Sequence, residues 1–200
     1  MFRSLLLLTA GILLAGCAAF PQHKVAAVPL PIILTPHTGS LYVDLRTYEG
    51  TPGPAAVPEG TMYATMQGVT LAAMHESNLF QDVRFADAMR GHTTFAVRLS
   101  IYHEPSNVWP YVTVILNYFS ATLIPVYADD QYQMTLELLD NQNHSVMKLS
   151  NSDAVHRYGG LLFLPAAMSG KTVSRALNGT LDNQIESLLL NAEQQNWFRE

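Results

Sequence analysis

The chain has 200 residues, 48% of them apolar, with sixteen acidic against eleven basic residues and a net charge of −5. That is enough chain for one domain with its own core, and an acidic balance with no basic cluster excludes a general affinity for nucleic acid. A single cysteine excludes a disulfide framework, a thiolate metal site and a redox pair.

Residues 1–16 carry one positive charge (Arg3), an apolar run over 5–14 and small residues at 15–16. This is the layout of a secretory leader rather than of a spanning helix. Leu14-Ala15-Gly16-Cys17 resembles the lipobox of bacterial lipoproteins, Leu-(Ala/Ser)-(Gly/Ala)-Cys, at all four positions. The resemblance implies that Cys17 receives a thioether-linked diacylglycerol, that 1–16 are removed and that the new N-terminus is acylated. With several acyl chains, each buried CH2 contributing about 0.8 kcal/mol, such an anchor is durable. Ala18, where an Asp would favour inner-membrane retention in these lipoproteins, implies an outer-membrane address facing the periplasm. The alternative for Cys17 is a buried cysteine in an apolar helix.

Prolines 21, 29, 31 and 36 prevent a continuous helix, so 17–40 reads as the acylated cysteine and a Pro-rich tether, with part of 25–34 able to join the sheet or lie on the domain. Residues 41–200 read as a single domain. Leu41, Val43 and Leu45 alternate with polar neighbours, the period of a strand. A Pro/Gly loop covers 50–60. Met62, Met66, Val69 and Ala73 then fall at helical spacing over 61–79, with Asn78 as a stop. Short and long strands follow at 82–85 and 93–102. Residues 131–152 read as a β-hairpin around Asp140-Asn141-Gln142-Asn143. A long amphipathic helix over 171–193 carries Val173, Leu177, Leu181, Ile185 and Leu188, with Ser169 as its N-cap.

This order predicts an α+β fold, a mainly antiparallel sheet with two helices packed on one face. Over 41–195 the order of elements resembles the small α+β domains of envelope accessory proteins, such as the amino-terminal domain of TolB and the lipoproteins related to CsgG or LptE. The resemblance lies in element order and implies the fold alone.

Two segments, 105–128 and 158–170, are free of charge and flank the hairpin, which brings them to one edge of the domain. Three arrangements compete for them. The default is buried strands and loops. The second is an exposed apolar patch that meets a membrane interface or a partner, with Trp109, Tyr111, Leu123, Ile124, Leu162, Phe163 and Leu164 as its contact residues. The third is a transmembrane helix over 108–127, against which Pro110, Asn117, Ser120, Thr122 and Pro125 argue.

No motif announces a chemistry. His-Glu-x-x-His and Gly-x-Ser-x-Gly are absent, and Gly170-Lys171-Thr172 lacks the first glycine of a phosphate loop. A composite site from His103, Asp129 and Asp130 is conceivable, but solvated charges beside loops are the ordinary explanation. The sequence therefore points away from an enzyme. It points to a lipid-anchored docking or assembly-accessory module of the envelope, without cofactor or metal. Its partners are the membrane through its anchor and an envelope protein or apolar ligand. The alternatives are a carrier or chaperone for a lipidic ligand, with the uncharged segments lining a pocket, and, third, a hydrolase.

Overall fold

The computed structural model describes residues 17–85, 92–105, 109–120 and 123–198, and the backbone alone at Thr38, Trp109 and Pro110. The expected leader lies outside the described residues. In chain order the elements are β1 (Cys17–Pro21), β2 (His37–Glu49), β3 (Val57–Pro58), α1 (Tyr63–Glu76), β4 (Phe80–Arg84), β5 (Phe95–Glu104), α2 (Trp109–Phe119), β6 (Val126–Leu139) and β7 (Ser145–Gly159). They continue with a 3-10 turn (Leu161–Phe163), α3 (Leu164–Met168) and α4 (Val173–Gln194).

The fold is α+β, with a seven-stranded mixed sheet in the order β1-β7-β6-β5-β2-β3 and β4 also paired to β2. β1 runs antiparallel to β7, whereas β4 and β5 run parallel to β2. The β2–β4 pair is parallel because the helical segment α1 returns the chain along β2 before β4 starts, as parallel neighbours require. The chain divides into two compact units. Among the described residues, the first comprises 17–22, 105, 109–120, 123–131 and 154–180; the second comprises 23–85, 92–104, 132–153 and 181–198.

In the second unit, Leu41, Val43 and Leu45 of β2 and Val97, Leu99 and Ile101 of β5 are buried, as their alternation predicts. Met66, Val69 and Ala73 of α1 and Ile185, Leu188 and Leu189 of α4 are buried with them. The other set of strand side chains builds an ionic ladder. Arg46 Nη2 lies 2.9 Å from Asp44, Arg98 Nε 2.8 Å from Asp44, Arg98 Nη1 3.5 Å from Glu137 and Lys148 Nζ 3.3 Å from Glu137. Burial works to raise the Asp44 carboxyl, but hydrogen bonds and charge from Arg46 and Arg98 outweigh it and hold the group below its ordinary value.

Local signals explain the element ends. After α1, Asn78 adopts φ 58° and donates from Nδ2 to Ile33 O at 2.9 Å, a left-handed stop that an Asn tolerates. The β6–β7 turn is held by Asp140 Oδ1, which accepts from the N–H groups of Gln142 and His144, both at 2.8 Å. The expected cap of α4 is corrected. Ser169 ends α3, donating to Ala166 O, and Thr172 is the residue whose hydroxyl accepts from Arg175 N–H.

The expected tether is corrected in part as well. Its first five residues form β1, paired from Cys17↔Gly159 to Pro21↔Val155. In the second unit, the N–H groups of Lys24 and Val25 both donate to the Asp153 carboxylate at 3.2 Å, and Ile32 N–H donates to Ser77 O at 2.9 Å. Prolines exclude helix, but they do not exclude extended backbone that finds acceptors along its path.

Candidate functional site

The first unit collects the residues that the sequence singles out. Cys17 is exposed, which removes the buried-cysteine alternative. It starts β1 opposite Gly159, the last residue of β7. A methyl group built on Gly159 would stand 3.6 Å from Cys17 Sγ and 3.7 Å from Cβ of Val126, the first residue of β6. The start of β1, the start of β6 and the end of β7 therefore share one rung. The two uncharged segments join the sheet at this rung, one entering at Val126 and the other leaving at Gly159, so the expectation that the hairpin brings them together holds.

The conformation of the first segment overturns the default reading. Residues 109–119 form the helix α2, and its apolar side chains are exposed rather than buried. Tyr111 is 74% exposed and Tyr118 and Phe119 are each 81% exposed; Val112, Val114, Ile115 and Leu116 are exposed as well. The side turned to the unit is polar. Thr113 is buried, and its hydroxyl accepts from Tyr127 N–H at 3.1 Å. Asn117 Nδ2 donates to Ile124 O at 2.6 Å, and Ser120 Oγ accepts from Ile124 N–H at 2.9 Å. Residues 113, 117 and 120 share one helical face, so α2 is amphipathic in the inverted sense.

The spanning alternative is overturned with it. α2 has eleven residues, and among the described residues no helix is long and apolar enough to cross a membrane. Two of the residues that argue against a span, Asn117 and Ser120, also fix the helix on the unit.

Among the seven residues expected at a contact edge, Tyr111, Leu123, Ile124 and Leu162 are exposed. The Trp109 side chain lies outside the described residues. Leu164 is half-buried, and so is Phe163. It stacks on Tyr158 with ring centroids 4.7 Å apart, and Tyr158 meets Phe20 at 5.8 Å and Tyr127 at 5.2 Å. The Lys171 ammonium sits 4.9 Å above the Phe20 ring. Phe163 thus closes an aromatic cluster. Sequence reasoning missed Val114, Ile115 and Phe119 as exposed residues, although the Thr113/Asn117/Ser120 spacing carried the signal.

Of the three residues weighed for a composite site, Asp129 and Asp130 belong to the first unit and His103 to the second. Asp129 Oδ1 lies 3.0 Å from His156 Nδ1, and Asp130 Oδ1 accepts from Arg157 Nη2 at 2.8 Å. His103, in the second unit, stacks on Tyr132 at 4.9 Å. Among the described residues no group of three His, Cys, Asp or Glu could hold a metal ion. Tyr127 Oη also meets His156 Nδ1, at 3.1 Å. Both of these contacts fall on one ring nitrogen, so the ring does not relay a proton between them. Burial first, then the charge of Asp129 and the neighbouring Tyr158, push the Tyr127 phenol up. It remains a protonated hydroxyl at neutral pH.

The second unit holds a different electrostatic feature. Asp182 and Glu186 lie one turn apart on α4, near Glu76 at the end of α1. Burial first, and then the Glu76 charge, push Asp182 up to about 6. Glu186, only 5% exposed, is pushed up to about 7 by burial and then by the charges of Asp182 and Glu76.

No protein-family model matches the chain, and no curated protein matches it. Among solved structures, it is similar to the PelC dodecamer from Paraburkholderia phytofirmans, at 12% identity over 87% of this chain and 96% of that one, with a TM-score of 0.38. It is also similar to a putative neuraminyllactose-binding hemagglutinin homolog from Helicobacter pylori, at 7% identity over 82% and 91% of the two chains, with a TM-score of 0.43. Likenesses of this size assign no function to the chain.

Proposed function

We propose that this is a lipid-anchored accessory protein of the cell envelope, non-enzymatic, whose first unit is its docking end. One observation carries the reading: the lipobox cysteine stands on the same sheet rung at which both apolar segments enter and leave. A lipid at Cys17 tethers that rung to a leaflet, and the outward apolar side of α2 is the kind of surface that stays uncovered only where something meets it. Ala18 after the cysteine favours the outer membrane and a periplasmic body. The carrier alternative has less support, because Tyr111, Leu123, Ile124 and Leu162 face outward rather than around a ligand. The hydrolase alternative gains nothing from a protonated Tyr127 and a histidine whose two contacts share one nitrogen.

Cell fractionation tests the reading. The wild-type chain is expected in the outer-membrane fraction, resistant to high salt and released by detergent. Cys17→Ser is expected to accumulate at the higher mass that retains 1–16. Recovery of mature-sized wild-type protein from the soluble periplasm overturns it.

A further inference from the structure

We infer that α2 is a second anchor: its outward face, continued by Leu123, Ile124 and Leu162, lies in the interface of the leaflet that holds the Cys17 lipid. This rests on the lipid-anchor reading and deepens it, by committing the apolar face to a bilayer rather than to a protein.

The commitment to lipid comes from three features of the unit. The first is position. Ile124 is two residues before Val126, and Leu161 is two after Gly159, so with about 3.8 Å between successive Cα atoms both segments start within a few ångströms of the Cys17 rung. Acyl chains on Cys17 hold that rung at the membrane surface, and the face next to it is presented to the same surface. The second is composition. No Asp, Glu, Lys, Arg or His occurs between 105 and 128, so this face carries no charge that resists dehydration and offers none for a protein partner to pair with.

The third feature is the inverted polarity. Thr113, Asn117 and Ser120 spend their hydrogen bonds on the backbone of Ile124 and Tyr127. The outward side of α2 therefore enters an apolar medium without orphaning a polar group. At about 1.5 Å per residue, eleven residues are too short to span a core about 30 Å thick, so the helix lies along the surface. The exposed hydroxyls of Tyr111 and Tyr118 suit the head-group level. An interfacial helix ordinarily adds basic residues that attract anionic lipid. This one has none, so its seating is insensitive to salt and to anionic lipid content.

The single cysteine makes the test direct. A thioether-linked Cys17 does not react with maleimide, so in the full-length lipidated protein Ile115→Cys is the only labelling site; Tyr118→Cys, on the same exposed side, gives an independent second reading. Each variant is labelled with an environment-sensitive fluorophore and reconstituted into phosphatidylethanolamine–phosphatidylglycerol vesicles, with and without nitroxide-bearing acyl chains. The expected result is blue-shifted emission, quenched several-fold by the nitroxide lipid and protected from aqueous iodide, unchanged in high salt. Quenching by iodide places the face in water and overturns the inference. Blue-shifted emission that neither agent quenches places it against protein and also overturns it. In both cases the unsubstituted protein stays unlabelled, and the lipid anchor stands. Labelling of the unsubstituted protein shows a free Cys17; it removes the lipid-anchor reading, and this inference with it.

Discussion

Cys17 and Gly159 pair across the β1–β7 ladder, so the residue that carries the lipobox is also a member of the sheet. Its neighbour Ala18 is fully buried. On the proposed lipid anchor, that couples address to fold. Placing an Asp after the cysteine, the substitution that redirects sorting in the lipoproteins this leader resembles, also forces a carboxylate into the interior of the first unit. Ala18→Asp is expected to destabilise the protein by about 3 kcal/mol or more, whereas Ala18→Ser costs on the order of 1 kcal/mol. Denaturant unfolding of the two variants checks this; equal stabilities contradict the placement of β1.

The inverted polarity of α2 gives a paired prediction. Ile115→Ser changes an exposed side chain, and stability should stay within about 0.5 kcal/mol of wild type. Thr113→Val removes the acceptor for a part-buried N–H, that of Tyr127, and should cost about 1 kcal/mol or more. An ordinary amphipathic helix shows the opposite order, apolar-to-polar being the costly change. Thermal unfolding of both proteins in detergent decides between the two arrangements.

Ile124 and Phe163 belong to the same apolar region by sequence and to different environments by structure. Ile124→Asp is expected to leave the first unit folded. Phe163→Asp breaks the stack on Tyr158 and buries part of a charge among rings, and should cost several kcal/mol. Near-ultraviolet circular dichroism follows the Phe20–Tyr127–Tyr158–Phe163 cluster directly. Loss of the aromatic signal in Ile124→Asp, with retention in Phe163→Asp, contradicts the assignment.

These cases show where the sequence was legible. The strands β2 and β5 could be read because one face of each is buried and alternation reports that contrast. The hairpin was legible from Asp140 to Asn143, and α4 from its stripe. The uncharged segments misled for a physical reason: an apolar run reports a preference to leave water, not what it leaves water for. Val114 and Ile115 look like core by composition and face outward. The polar triad at 113, 117 and 120 fixed the helix orientation, but its meaning depends on acceptors at Ile124 and Tyr127 that only the fold supplies. Likewise β1 was hidden, because Cys17–Pro21 has no alternation and gains strand geometry only from its partner β7.

The carboxylates of α4 predict an unusual dependence on pH. Asp182 and Glu186 are held near 6 and 7 in the folded chain, above their values near 3.9 and 4.3 in an unfolded one. Between those limits the folded state binds more protons, so stability falls as pH rises through 5 to 7 and returns on acidification. Asp44 runs the other way: its carboxyl is lowered in the fold, so its contribution is lost only as pH falls below about 4. Stability is therefore expected to peak near pH 5 and to drop by at least about 1.4 kcal/mol, one pK unit's worth, by pH 8. Glu186→Gln should raise the melting temperature at pH 8 and flatten the profile. A melting temperature that climbs steadily from pH 5 to pH 8 contradicts this.

The account depends most on what is attached to Cys17. Intact-mass analysis of the protein extracted from membranes measures it directly. The expected mass is that of the chain from Cys17 onward plus a diacylglycerol and one amide-linked acyl group, with a hydroxylamine-resistant thioether at Cys17. A chain that still carries residues 1–16, or a mature chain with an unmodified Cys17 thiol, contradicts the account.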